Sequence, residues 1–178
     1  ASSSDPLGNA CGYSRSPNAK SICGSLGYAL PDAHYADKVV ILTDDLVAYP
    51  NTPNSISEHD VDFVVEVDSV GDSSKIASGA IRDTKNPRDI LLAKQAAKVI
   101  VNSGYFKEGF SIQTGSGGAS LAAVKYIRQS MIDQGIKASF ALGGITAHMV
   151  KMHEEGLIER LIDVQSFDKV AAESLKND

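Results

Sequence analysis

The sequence predicts an α/β fold with a parallel sheet, and three observations carry that prediction. From Phe110 onward, short strand-like runs alternate with helical patterns in the order β, α, β, α, β, α. Val39-Val40-Ile41-Leu42 is a continuous β-branched and apolar run, the pattern of a strand buried on both faces. Asn86-Pro87-Arg88-Asp89 opens a helix, with Asn as N-cap, Pro at the first helical position and an acid in the first turn. Strands that alternate with helices imply parallel pairing, because parallel neighbours need crossovers and each sheet face needs cover.

Taken in order, residues 1–23 are rich in Gly, Ser, Pro and Asn and read as loop or irregular hairpin, with regular structure starting near Ser25. A second strand follows at Val61–Val67. Between the two strands, Pro50 and Pro53 remove ladder donors and impose a loop. The Asn86 helix keeps Ile90, Ala93, Ala97 and Ile100 at helical spacing, and Gly104 stops it. Next come a strand at Phe110–Gln113 and a helix from Ala119 to Asp133 that buries Leu121, Val124, Ile127 and Met131 and ends at Gly135. Then Ala138–Leu142 reads as strand, Thr146–Glu155 as helix, Leu161–Gln165 as strand and Val170–Leu175 as helix.

A length of 178 residues suits one well-buried domain, so residues 1–178 are expected to form one. The net charge of −5 repels phosphate backbones and anionic lipids, and no basic patch offsets it, so nucleic acid and membrane are not expected as partners. Cys11 and Cys23 lack metal-ligand spacing and read as reduced thiols of a cytoplasmic protein. No segment has the pattern of a signal peptide or membrane span. The chain opens at Ala1 rather than Met, in Ser, Gly and Asn, as if entered in mid-sequence; a fragment is expected, and cleavage or cloning would give the same start.

In open parallel sheets, ligands bind beyond the carboxyl ends of the strands. The richest such position is Gln113-Thr114-Gly115-Ser116-Gly117-Gly118-Ala119-Ser120. Its glycines let backbone N–H groups approach a ligand, and the helix N-terminus adds positive potential. No Asp or Glu lies between Phe110 and Gln129 to compete for those groups. The alternative is that the glycines only let helix and strand pack closely. Gly143-Gly144 is a second turn of the same kind, expected at the same sheet edge. Lys75, Arg82 and Arg88 lie in or near the loop after the second strand and serve as a carboxylate clamp or as solvated surface charge. His148 and His153 do not share a helix face, and Asp44, Asp45, Asp68 and Asp72 suit local backbone capping, so no metal is expected.

Several ordered stretches resemble a known family: Asp37-Lys38-Val39-Val40-Ile41-Leu42-Thr43-Asp44, Tyr49-Pro50-Asn51, Ser78-Gly79-Ala80-Ile81-Arg82, Gly104 to Ser111, Gln113 to Ala122, Ala141 to Thr146 and Asp163 to Asp168. Together they look like the α subunit of citrate lyase, the citrate CoA-transferase family, nearly end to end. That family's subunit is substantially longer and has two domains, and this chain looks like its middle portion. The resemblance implies a three-layer α/β/α domain with a mainly parallel sheet, similar to other CoA-transferases and to sugar-phosphate isomerases.

It also implies a reaction. Citrate displaces acetate from a thioester on an acyl carrier (γ) subunit whose prosthetic group derives from CoA, and a separate β subunit cleaves the citryl thioester. Partners are then citrate and the β and γ subunits within an oligomer, in the cytoplasm. Amides around Gly117, Gly118, Gly143 and Gly144 would hold the developing oxyanion, with Thr114, Gly115, Ser116, Ser120 and Arg82 binding substrate. Distant CoA-transferases use a glutamate as acyl acceptor near the end of the Ser139–Gly143 strand. Glycine stands there in this chain, which implies direct exchange through a mixed anhydride in a ternary complex. Three alternatives stay open: a noncatalytic scaffold of the same complex, a sugar-phosphate or effector-binding domain of the same superfamily, and citramalate in place of citrate.

Overall fold

A computed structural model describes residues 1–14, 16, 22–72 and 84–177. The chain forms two compact units, one of residues 1–76 and 164–178 and the other of residues 77–163.

In the first unit, Ser3–Ser4 (β1) and Ala10–Cys11 (β2) pair antiparallel as a short hairpin. Asp5 organises its turn. Its Oδ1 accepts the N–H groups of Leu7, Gly8 and Asn9 at 3.0, 3.0 and 3.1 Å, and its Oδ2 accepts Asn9 Nδ2 at 2.8 Å and the Asn51 N–H at 2.9 Å. Burial alone would raise this carboxyl's pKa. The donors from Asn51, Asn9 and Leu7 outweigh burial and hold it below the usual aspartate range.

Ala29–Tyr35 (α1) follows, a helix that the periodicity did not reveal because Pro31 stands in its first turn and only Ala33 is buried. Val40–Thr43 (β3) and Phe63–Glu66 (β4) pair in parallel, with Val40 opposite Phe63 and Leu42 opposite Val65. Ile41 points inward to a core with Ala10, Ala33 and Ile56. The expectation that this strand is buried on both faces is corrected: Val40 and Leu42 are each 50% exposed, because only Ile41 and Thr43 face the core. Both Pro50 and Pro53 follow cis peptide bonds. Lys169–Ser174 (α5) is capped by Asp168, which accepts the Ala171 N–H at 2.9 Å.

The second unit begins with Pro87–Val101 (α2), where the Asn86 side chain accepts the Arg88 N–H at 2.9 Å, the cap the sequence predicts. Ala93 and Ala97 are buried, but Ile100 is 37% exposed, so the helix seats by its small residues. Ala93 packs against Ala122 and Ala123 of Gly118–Gln134 (α3). Leu121, Val124, Ile127 and Met131 of α3 are almost fully buried, each contributing roughly 1.5–3 kcal/mol. Gly135 ends α3 in the left-handed conformation at φ 63°.

Phe110–Ile112 (β5) and Ala138–Ile145 (β6) pair in parallel, with Ile112 opposite Ala141. The sheet order is β5, β6, then Leu161–Ser166 (β7), which starts in this unit and runs into residues of the first. The mixed α/β architecture with parallel strand pairs is the predicted class. One boundary differs: Gly143 and Gly144 lie inside β6, which continues to Ile145 before Ala147–Glu154 (α4) begins. Gly143 sits at φ +96°, a conformation open to glycine without a turn being formed there.

Candidate functional site

The site is built around the start of α3. Parallel pairing of β5 with β6 fixes the direction in which β5 ends, and Gln113 to Gly117 then carries the chain into the helix. Gly117 is the N-cap, with φ −69° and ψ 149°, and no side chain caps this end. No acid lies in the first turn either. The first intrahelical bond runs from the Leu121 N–H to the Gly117 carbonyl at 3.0 Å. Helix geometry leaves the N–H groups before Leu121 without partners inside the helix, and the aligned peptide dipoles make this end electropositive. By contrast, the starts of α2 and α5 are closed by the side chains of Asn86 and Asp168.

Whether the glycines serve packing or a ligand is decided residue by residue. At Gly117 a Cβ would meet nothing within 4 Å, and its φ is ordinary. At Gly115 a Cβ would meet only Ser120, with Oγ at 3.4 Å. Neither position needs glycine for the fold, so close packing of helix on strand does not explain them. Gly143 is the opposite case: φ is +96° and a Cβ would lie 2.9 Å from Gln113 Nε2. Its glycine is structural, and it seats the Gln113 side chain beside β6.

The turn opens on a pocket of about 340 Å³. Leu92, Ala93, Ala96 and Ile100 of α2 form one wall, Ala119, Ser120, Ala123 and Ile127 of α3 another, and Ile112, Gln113, Thr114 and Gly115 its end. Among the described residues, no carboxylate or ammonium lines it. The Oγ1 atoms of Thr114 and Thr146 are buried without a hydrogen-bond partner among the described residues, and a buried hydroxyl left unpaired costs about 1–3 kcal/mol. Thr146 is the N-cap of α4, and its side chain makes no cap bond. Arg128 grips Glu155 at the end of α4 through Nε at 2.6 Å and Nη2 at 2.8 Å, tying α4 to α3. That bidentate contact holds the Glu155 carboxyl below its ordinary range.

Of the residues singled out in the sequence, Thr114, Gly115 and Ser120 line this pocket, while Ser116, Gly117 and Gly118 do not line it and lie in the chain between Gly115 and Ala119, which do. Gly143 adjoins Gln113, and Gly144 follows it within the strand. Arg82 and Lys75 lie outside the described residues, and Arg88 is exposed at the start of α2. Sequence reasoning missed the α2 wall, the placement of Gln113 over Gly143 and the orphaned hydroxyls, all of which are tertiary facts. Among the described residues, no three His, Cys, Asp or Glu side chains gather to hold a metal ion. No described helix is long and apolar enough to cross a membrane. Asp44 accepts the Val70 N–H at 3.1 Å and Asp45 accepts the Ser14 hydroxyl, contacts distant in sequence rather than the local backbone capping expected of them.

The family model "Citrate lyase, alpha subunit (CitF)" matches residues 1–178. The chain belongs to the citrate lyase alpha subunit family. The citrate lyase alpha chain of Escherichia coli K12 is 58% identical over 173 residues, which is 97% of this chain and 33% of that one. The alpha chain of Klebsiella pneumoniae is also 58% identical, over 171 residues. This chain thus spans about a third of the length of the relatives it matches. A Streptococcus mutans protein described as the alpha subunit of citrate lyase, crystallised in complex with citrate, superposes with a TM-score of 0.91 at 57% identity, covering all of this chain and 34% of that one. A Pseudomonas malonate decarboxylase hetero-tetramer in complex with malonate matches 92% of this chain and 29% of that one at TM-score 0.56 and 20% identity, a likeness of fold.

Proposed function

We propose that this chain supplies the carboxylate- and oxyanion-holding part of a citrate CoA-transferase, which exchanges citrate for acetate on a thioester carried by an acyl carrier protein. One observation carries the reading: the α3 N-terminus, closed by no side chain, is flanked by Gly115 and Ala119, which line a pocket without carboxylates among the described residues, and the fold does not require glycine at Gly115 or Gly117. The family membership and the citrate bound to the Streptococcus mutans relative support it.

A citrate carboxylate oxygen attacks the thioester carbonyl carbon, and the carbonyl oxygen takes up negative charge. The N–H groups at Gly117 and Gly118 donate to that oxygen or to a neighbouring citrate carboxylate, with Thr114, Ser116 and Ser120 as hydroxyl partners. The C–S bond then breaks, leaving a citric–acetic anhydride and a thiolate. Attack of the thiolate on the citryl carbonyl releases acetate and forms the citryl thioester, so atoms and charge balance. The apolar walls from Leu92, Ala96 and Ile127 exclude water that would hydrolyse the anhydride. Among the described residues no carboxylate lines the pocket, so direct exchange suits it better than a glutamyl intermediate. Gly143 takes a packing role here, and the oxyanion donors reduce to the α3 turn. Arg82 remains the proposed clamp for a second citrate carboxylate.

The CoA-derived prosthetic group on a γ carrier subunit would supply the thioester, and a β subunit would cleave the product. The test is isotope exchange between labelled acetate and an acetylated carrier, with and without citrate, by this chain and by the longer subunit. Exchange by the longer subunit that disappears with Gly117→Asp supports the reading; exchange untouched by that change overturns it. A noncatalytic scaffold would leave both proteins' exchange unaltered.

A further inference from the structure

Gln113 stands directly after β5, exposed and lining the pocket beside Thr114. Among the described residues its amide has no hydrogen-bond partner. Its side chain is nevertheless seated. A Cβ on Gly143 would lie 2.9 Å from Gln113 Nε2, 3.3 Å from Cδ and 3.4 Å from Cγ, so most of the side chain rests against the glycine. Glycine weakens a strand interior, and β6 carries one here at φ +96°. An exposed glutamine adds little core packing in return, so what the seat secures is the position of the amide at the pocket wall.

The chemistry of the amide selects the ligand group. A carboxylate needs donors only, and the electropositive start of α3 supplies them. A hydroxyl needs an acceptor for its proton and offers its oxygen to a donor. A primary amide carries both functions on one plane. Among the described lining residues, Gln113 Oε1 is the one side-chain carbonyl; the other polar side chains there are the hydroxyls of Thr114 and Ser120. We infer that Gln113 is a specificity-determining residue that pairs its amide with the central hydroxyl of a hydroxytricarboxylate while the α3 turn holds a carboxylate. The inference rests on the citrate reading proposed above and narrows it: the site selects polycarboxylates that carry an alcohol group. An analogue without that hydroxyl leaves the amide unpaired in the complex, and the lost bond is the discrimination.

The probes are citrate and propane-1,2,3-tricarboxylate, which has the same three carboxylates and no hydroxyl, each titrated by calorimetry into this chain and its variants. The parent is expected to prefer citrate by about tenfold, the worth of one neutral hydrogen bond. Gln113→Met keeps an unbranched side chain against Gly143 and removes the amide. It should lose citrate affinity by that factor and leave the affinity for the second ligand unchanged. Gly143→Ala displaces the amide from its seat and should reduce the preference as well. Circular dichroism checks that each variant is folded. A parent without preference, a preference kept by Gln113→Met, or an equal loss of both ligands in that variant overturns the inference. Gly117→Asp reads the α3 turn separately: it should weaken both ligands alike and leave their ratio intact. Citrate binding by that variant as by the parent strikes the pocket reading, and binding of neither ligand by the parent overturns both, so the two failures are separable.

Discussion

Replacing Gly117 with aspartate should raise stability and abolish anion binding together, a pairing that a purely structural glycine would not produce. The backbone at Gly117 has ordinary φ, and a Cβ there meets nothing within 4 Å, so the new side chain costs no strain. Aspartate is a better N-cap than glycine by a few tenths of a kcal/mol, and its charge gains about 0.3–1 kcal/mol from the helix dipole. A net gain of about 1 kcal/mol raises Tm by roughly 2–4 °C for a chain of this size. The same carboxylate would stand about 4 Å from a ligand carboxylate held by the turn. At an effective dielectric constant near 20 this repulsion is about 4 kcal/mol, or roughly a thousandfold in Kd. Scanning calorimetry reads the first quantity and titration with citrate the second. Gly117→Ser, which caps without charge, separates bulk from electrostatics and should retain most binding. A Gly117→Asp protein that melts lower, or that binds citrate as the parent does, would refute the reasoning.

Three further outcomes follow from particular residues. Thr114→Val removes a buried hydroxyl that has no protein partner, so it should leave stability equal or up to about 2 kcal/mol higher while weakening citrate binding; reduced stability with unchanged binding would make the hydroxyl structural. Gly143→Ala should cost about 1–3 kcal/mol in urea denaturation, because φ is +96° and the methyl group meets Gln113; shortening Gln113 to alanine should relieve the contact but not the backbone strain. Asp5 has a folded pKa below its unfolded value, so its contribution is present above about pH 4 and is lost as pH falls through the folded value. Asp5→Asn should therefore lower stability at pH 7 and flatten the acid limb of a stability-against-pH curve, and an acid limb identical to the parent's would contradict this.

The helices were the most legible part of the sequence. The Asn86-Pro87 start and the spacing of Leu121, Val124, Ile127 and Met131 announce α2 and α3 through local chemistry, and Gly135 marks an end that only a left-handed residue closes easily. The parallel class followed from the alternation of elements, and the α3 turn stood out by its glycines and its lack of acids. The strand faces were less legible, because the run at Val39–Leu42 does not say which side finds a partner. Gly143 read as a turn because a positive φ inside a strand has the same sequence signature as one between elements. Which glycines are free of packing duty, and which hydroxyls are orphaned, depends on neighbours distant in sequence and had no local signal.

The most direct test of the account is a crystal structure of this chain with citrate. The account predicts a citrate carboxylate oxygen at about 3 Å from the backbone nitrogen of Gly117 or Gly118, at hydrogen-bonding distance. Citrate bound only elsewhere, with those N–H groups bonded to other parts of the protein, would contradict it.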